Sequence, residues 1–396
     1  MCIRDRYYYG YGDTYGYFYC GRQIWNALWE VPSVGLELLF QVPEDYSKLA
    51  IQYANHPHFS SRDSRFVGQV VAILSLVTFK NYLSISLILT FLSFLGCWKI
   101  FRVFQKMYPD LHQVLAFATL FVPSVFFWGA GIMKESIVLF GLGILVDGLF
   151  AFFYFKDKIN FLVFIKVFFG FLILFKVKPY LLISGLLAFI PIFIHSRIRH
   201  LGSYWFRSFS RGVWYFLLGI TAVSGIFLIG QVLAEYEPQK ALEYLSIIQK
   251  SQLETAQLRN GSGYNLGVIE PTLQSLSLKS AAAINVTLFR PYLWEAKKII
   301  NIPTALESLL TLLLTLFVLY RLGPIKFIYR IISNPVILFC MLFSGIVAII
   351  VGLVAFNFGT LVRYKIPMLP FYYVALILLY YTDSSKNKIT YLSQKK

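Results

Sequence analysis

The chain is 396 residues long, 58% hydrophobic and 18% aromatic, yet only 14% charged, and its mean hydropathy is +0.65. Soluble domains carry about a quarter charged residues, so the composition excludes an ordinary soluble protein and points to a bilayer. The net charge of +17 is read as topology charge, and no nucleic-acid partner is expected, because a face that binds phosphate backbones needs water-exposed surface.

Residues 1–65 read as an outer N-terminal loop. Within it, Tyr15 to Trp29 repeat apolar and aromatic residues near helical spacing, the pattern of a helix lying on a membrane surface. The apolar run from Phe66 to Phe79 is short for a span and reads as interfacial or re-entrant. Nine segments are long enough to cross a hydrocarbon layer of ~30 Å: Tyr82 to Phe101, Val114 to Phe127, Ser136 to Phe155, Ile159 to Lys176, Pro179 to Ile194, Gly212 to Leu233, Pro303 to Tyr320, Pro335 to Ala355 and Ile366 to Tyr381. The expected fold class is therefore all-α, a polytopic transmembrane bundle. Its membrane helices occupy 66–233 and, with a cytoplasmic tail, 303–396. Between them 234–302 reads as an outer loop, with a second surface helix from Lys240 to Leu258 and Pro271 placed to start another. No internal repeat is visible, which weighs against transporter folds built from paired halves.

Orientation follows from the connections. Lys99, Arg102 and Lys106, then Lys156 and Lys158, then Arg197, Arg199, Arg207 and Arg211, then Arg321, Lys326 and Arg330, and finally Lys386, Lys388, Lys395 and Lys396 fall in alternate connections between the spans. By the positive-inside rule these are cytoplasmic. The outer face then receives the N-terminal segment, the Gly129 to Glu135 turn, the long loop and the Asn357 to Lys365 turn. The opening Met-Cys-Ile-Arg-Asp-Arg resembles a translated sequencing adaptor, and the intact form is expected to carry one more N-terminal span, about ten in all.

Five short patterns on the outer side carry chemistry. Tyr9-Gly10-Tyr11-Gly12-Asp13 sets a carboxylate among glycines and tyrosines, where backbone can approach a ligand, rings can stack on a sugar and the carboxylate can take a proton; a solvated loop aspartate in an aromatic belt reads the same way locally. Pro123-Ser124-Val125-Phe126-Phe127-Trp128 leads to a turn ending in Lys134-Glu135, with Glu135 opening a helix whose dipole favours its charge in any case. Lys178-Pro179-Tyr180, Arg290-Pro291-Tyr292-Leu293-Trp294-Glu295 and Arg363-Tyr364-Lys365 place cations beside aromatic rings. That suits a lipid-linked phosphate, although any one of them is also what snorkelling to headgroups produces.

Within the spans, Asp147 and Lys166 fall at matching depth in neighbouring helices and are expected to form a structural ion pair. Cys97 and Cys340 read as small packing residues. The five histidines look dispersed, no metal-ligand spacing appears, and Asn260-Gly261-Ser262 and Asn285-Val286-Thr287 match the glycosylation acceptor pattern.

Taken together, the outer Gly12-Asp13, the surface helices of the first outer loop, the Pro123…Trp128…Lys134-Glu135 turn and a basic residue at the outer end of the last span resemble the GT-C superfamily of integral-membrane glycosyltransferases. The likeness is to its protein-mannosyltransferase and aminoarabinose-transferase branches and their bacterial relatives. It implies a polyprenyl-phosphate sugar as donor, a lipid, glycan or protein acceptor, and a site on the periplasmic side of a bacterial inner membrane. It also implies Asp13 as catalytic base, with Glu135 as the second acidic residue. Lys134, Lys178, Tyr180, Arg290, Trp294, Glu295, Arg363 and Lys365 then hold the lipid phosphate and substrate. No cofactor is expected, and a divalent metal stays open. An O-antigen-type polysaccharide polymerase and a lipid or polysaccharide transporter are the other readings.

Overall fold

The computed structural model describes residues 12–155, 161–198, 263–267, 273–296 and 302–381. The expected span at Gly212 to Leu233, the surface helix at Lys240 to Leu258, Tyr9 to Tyr11, the triplet at Asn260 and the C-terminal tail lie outside them. Among the described residues the architecture is all-α, and the one β contact is an isolated bridge between Gly263 and Asn357. Among the described residues, six helices are long and apolar enough to cross a bilayer. The chain divides into two compact units.

The first unit contains α1 (Asp13–Glu30), α2 (Pro32–Phe40), α3 (Lys48–Tyr53), α4 (Arg62–Thr78), most of α5 (Tyr82–Met107), most of α8 (Lys134–Phe150) and α9 (Phe161–Val177). The apolar repeat expected near Tyr15 to Trp29 is the buried face of α1, with Tyr17, Cys20, Ile24 and Ala27 at helical spacing. It packs along Val67, Val71 and Ala72 of α4. Ser47 caps α3, its hydroxyl accepting from the Ala50 N–H at 3.2 Å. The run from Phe66 to Phe79 is the greater part of α4, whose first turn is polar and whose end is set by Phe79 and Lys80 at positive φ. Lys80 is anchored there with its ammonium 4.0 Å from the Trp25 ring centroid.

α5, α8 and α9 pack closely. Gly96 of α5 and Gly143 of α8 lie backbone to backbone, and a Cβ on either would run into main-chain atoms of the other helix. A few residues further along, Asp147 of α8 forms an ion pair with Lys166 of α9 at 2.8 Å, the pair expected from their depth, and Lys99 of α5 lies 3.7 Å from the same carboxylate oxygen. Lys99, Arg102 and Lys106 are therefore not in a connecting loop: with no breaker before Pro109, α5 runs on to Met107.

The second unit contains α6 (His112–Leu120), α10 (Pro179–Ile198), α11 (Leu273–Phe289), α12 (Ile302–Leu322), α13 (Pro324–Ser333), α14 (Pro335–Val354), α15 (Phe358–Lys365) and α16 (Leu369–Tyr381). Its centre is aromatic: Phe150 meets Phe189 at 5.3 Å and Phe339 at 5.4 Å, and Phe371 meets Phe339 at 5.8 Å and Phe343 at 4.8 Å. α12 instead shows Leu306, Leu310, Leu313 and Phe317 outward, an apolar face suited to lipid.

Three expectations change here. The single span Val114 to Phe127 is two short helices, α6 and α7 (Pro123–Trp128), because Pro123 cannot continue the hydrogen-bond ladder of α6. The Asn357 to Lys365 turn is helical: the Asn357 side chain caps α15, accepting from the Gly359 N–H at 2.8 Å. Asn285-Val286-Thr287 lies inside α11, with Thr287 fully buried and its hydroxyl bonded to carbonyls of Ala283 and Ala348 at 2.9 and 2.8 Å, so that triplet is packing against α14 and not an acceptor loop.

Candidate functional site

In the first unit, Asp13 stands in the first turn of α1, half-buried, where the helix dipole favours a carboxylate. One turn on, α1 meets the loop that joins α3 to α4. The Tyr17 ring meets His58 edge-on at 4.8 Å. Gly16 makes room for it, since a Cβ there would lie 2.7 Å from His58 Cε1 and would push the ring aside. His56 sits 4.9 Å from His58, ring to ring, and its Nδ1 accepts the His58 N–H at 3.2 Å with the Cys20 sulfur 3.7 Å away. Accepting at Nδ1 leaves the proton of the neutral His56 ring on Nε2. Burial, then the neighbouring His56 and Lys134, hold the His58 pKa below its ordinary value, against the opposing pull of Asp13 and Asp63. His58 is thus the group on which Asp13, Asp63 and Lys134 all act.

α8 contributes two consecutive charges that turn to different partners. Lys134 bonds the carboxylate of Asp63 at the start of α4, and its ammonium lies 5.8 Å from the Tyr17 ring centroid. Burial alone would push the Asp63 carboxyl up. The Lys134 charge and hydrogen bond outweigh it, aided by the Ser64 N–H and the Ser61 side chain, and hold it below the usual carboxylate range. Glu135 is 3% exposed and bonds Lys178, 5% exposed, at 3.1 Å. The turn before them is held from both sides: the Gly131 N–H donates to Thr90 Oγ1 at 2.8 Å, and Ser136 Oγ lies 2.9 Å from the carbonyls of Gly129 and Gly131.

In the second unit Arg290, at the end of α11, has its guanidinium doubly bonded to Glu295, whose Oε2 lies 3.0 Å from Arg290 Nε and accepts the Tyr292 N–H at 2.9 Å. Burial would raise the Glu295 carboxyl, but Arg290 and that N–H outweigh it and lower its pKa. Rings of Phe358, Tyr264 and Tyr292 stand 5.3 to 5.8 Å from the guanidinium carbon. Trp294 stacks on Tyr292 at 4.9 Å and is 80% exposed. The carbonyl of Arg290 accepts from the buried Lys365 ammonium at 3.3 Å and from Ser308 Oγ at 3.1 Å, and Lys365 also bonds Ser308 at 3.1 Å. Glu307, buried beside Ser308 on α12, accepts from the N–H and Oγ of Ser124 at 2.7 and 2.6 Å. It thereby closes the open N-terminus of α7 from another helix.

The expected site residues thus fall into two sets. Asp13, Lys134, Glu135 and Lys178 belong to the first unit and Arg290, Trp294, Glu295 and Lys365 to the second, where Tyr180 lies in the first turn of α10 and Arg363 in the last turn of α15, both half-buried. Four cations expected to meet a lipid phosphate have internal partners: Lys134 on Asp63, Lys178 on Glu135, Arg290 on Glu295, and Lys365 on a carbonyl and a hydroxyl. Three residues went unread in the sequence. His56 and His58 are not dispersed, and their signal was the His56-Pro57-His58 run. Glu307 could have been found as the lone carboxylate of an otherwise apolar span. Among the described residues, no group of three His, Cys, Asp or Glu side chains is arranged to hold a metal ion.

No family model, curated protein or solved structure matches this chain.

Proposed function

We propose that this protein is an integral-membrane glycosyltransferase that moves a sugar from a polyprenyl-phosphate donor to a lipid, glycan or protein acceptor at the outer, periplasmic face of a bacterial inner membrane. The observation that carries the reading is the grouping of Asp13, Tyr17, His58, Asp63 and Lys134 by α1, α4, α8 and the loop before α4. A half-buried carboxylate beside a neutral imidazole, an aromatic ring and a cation is equipped to take a hydroxyl proton. The resemblance to the GT-C superfamily and the alternation of basic connections support the same assignment.

In the reaction the acceptor hydroxyl oxygen attacks the anomeric carbon. The new C–O bond forms as the bond from that carbon to the phosphate oxygen breaks, the hydroxyl proton passes to Asp13, and the electron pair leaves with the polyprenyl phosphate. A single displacement inverts the anomeric centre. The cations of the site neutralise the leaving phosphate, and Lys134 exchanges its Asp63 partner for it.

The test is transfer from a polyprenyl-phosphate sugar by the full chain in membranes. Asp13→Asn is expected to lower transfer by about 10²-fold or more, the scale of a lost positioned base, with expression and donor binding near normal. Arg363→Ala is expected to weaken donor binding instead. The opposite order, with Asp13→Asn silent and arginine changes abolishing product in a polymer assay, would replace the transferase with a polysaccharide polymerase.

A further inference from the structure

Among the described residues, the charges that meet at Asp147 do not balance. Lys99 of α5 and Lys166 of α9 both point at Oδ2 of Asp147, at 3.7 and 2.8 Å. Two ammonium groups on one carboxylate leave one positive charge over. The surplus is not sealed inside, for the side chains of Lys99 and Lys166 are 37% and 31% exposed while that of Asp147 is 19% exposed. The neighbouring surface is apolar: Phe91, Phe94 and Trp98 of α5 and Phe164, Phe168 and Phe169 of α9 are all exposed, the dress of helices that face lipid tails. An unbalanced cation among such side chains is costly in hydrocarbon unless it reaches water or an anion.

Its depth limits what that anion is. Lys99 stands eight residues before the end of α5 at Met107, about 12 Å at 1.5 Å per residue, and Lys166 five residues after the start of α9 at Phe161, about 8 Å. An extended lysine spans much of that distance, so both ammonium groups meet the headgroup layer from below, as snorkelling side chains do. The same helix ends carry Arg102 and Lys106, and the α8 to α9 connection carries Lys156 and Lys158 against Asp157. By the positive-inside rule this is the cytoplasmic side, whose leaflet supplies anionic phospholipid.

We infer that Lys99 and Lys166, set on Asp147 between α5 and α9, form a binding site for the phosphate of an anionic phospholipid of the cytoplasmic leaflet. Asp147 holds the two cations in one place and cancels one of them; the lipid phosphate completes the balance. A free phosphate ion is the lesser fit, since the acyl chains of a lipid also cover the exposed aromatic faces. The site is separate from the proposed transfer chemistry and rests only on the membrane placement of the three helices.

The test places the purified full chain in nanodiscs of phosphatidylcholine alone or with phosphatidylglycerol, and reads retained lipid by native mass spectrometry and thermal stability in parallel. Wild type is expected to retain phosphatidylglycerol over phosphatidylcholine roughly five-fold, the scale of one interfacial basic residue, and to melt higher in the anionic discs. Lys99→Gln leaves the 2.8 Å pair of Asp147 and Lys166 intact and neutral, so it folds, yet it should lose the preference and the stability gain together. Lys99→Arg should keep both. Retention and stabilisation in Lys99→Gln equal to wild type would overturn the site, as would inorganic phosphate replacing phosphatidylglycerol at matched ionic strength.

Discussion

The most deeply buried charges of the two units, Glu135 and Lys178 in the first and Glu307 and Lys365 in the second, are held in different ways. In the first, charge answers charge: Lys134 with Asp63, Glu135 with Lys178, Asp147 with two lysines. In the second, Arg290 also pairs with Glu295, but the more deeply buried Glu307 and Lys365, although each feels the other's charge, take their hydrogen bonds from neutral groups: an N–H and a hydroxyl of Ser124 for the one, a carbonyl and the Ser308 hydroxyl for the other. An ion pair is released when a stronger partner for either member arrives, so the first arrangement suits groups that must change partners. Fixed dipoles from three helices are not displaced so simply, and they suit groups that hold a backbone in place. Lys365 does that for the Arg290 carbonyl.

The sharpest way to break this comparison is to leave one charge of the first unit without its partner. Lys178→Met strands a buried carboxylate and Glu135→Gln a buried ammonium, and each is expected to cost about 3–5 kcal/mol, the range for breaking a buried pair. The double variant should recover much of the loss, because a neutral pair needs no partner. Thermal unfolding of the purified singles and double measures this. A double variant no better than the worse single would mean that Glu135 and Lys178 are held by other groups, and the charge-for-charge account of the first unit would fail.

In the second unit the corresponding change should be milder and not rescued by removing a countercharge. Glu307→Ala removes the acceptor of two hydrogen bonds from Ser124, and bonds to a charged group are worth about 1.5–3 kcal/mol. Glu307→Gln keeps one acceptor oxygen and should retain part of that stability. Adding Lys365→Met to Glu307→Ala should deepen the defect instead of relieving it. Recovery on combining the two would show that Glu307 and Lys365 act as an ion pair after all.

What was legible in the sequence follows from the same contrast. The Asp147 and Lys166 pair could be read because two charges in apolar segments must meet, and counting residues from the ends of two antiparallel helices places them. The helix of Tyr15 to Trp29 could be read because its buried face repeats at helical spacing. Lys99 was hidden because an uninterrupted helix runs past the apolar stretch, so a residue three turns before Pro109 looked like the start of a loop. Glu307 was hidden for the opposite reason: a lone carboxylate satisfied by an N–H and a hydroxyl leaves no complementary charge in the sequence to search for. The Asp13 neighbourhood was half visible. Asp13 and Lys134 carried motif signals, but His58 comes beside them through the packing of Gly16 and Tyr17, which no spacing along the chain announces.

The smallest expected effect bears on that neighbourhood and has a definite sign. Burial, with His56 and Lys134 adding to it, keeps the folded pKa of His58 below the ordinary histidine value of 6.5. The unfolded chain therefore binds the His58 proton at higher pH than the folded one does. Stability must fall as pH drops through about 6.5, where the unfolded state takes up the proton and the folded state does not yet. The Asp63 carboxyl, held low by Lys134, acts in a separate and more acid window: its contribution is present above its unfolded value and is lost only as pH falls through its depressed folded value. Because His58 is half-exposed the effect should be under about 1 kcal/mol. His58→Gln should reduce the slope of the melting temperature between pH 7 and 5.5 relative to wild type, without abolishing it, because burial also holds His56 below its ordinary value, while Asp63→Asn should leave that slope and act below it. If both variants keep the wild-type slope, the imidazole is not neutral beside Asp13, and the proton economy assigned to this end of α1 has to be redrawn with a charged His58 as a fixed counter-ion.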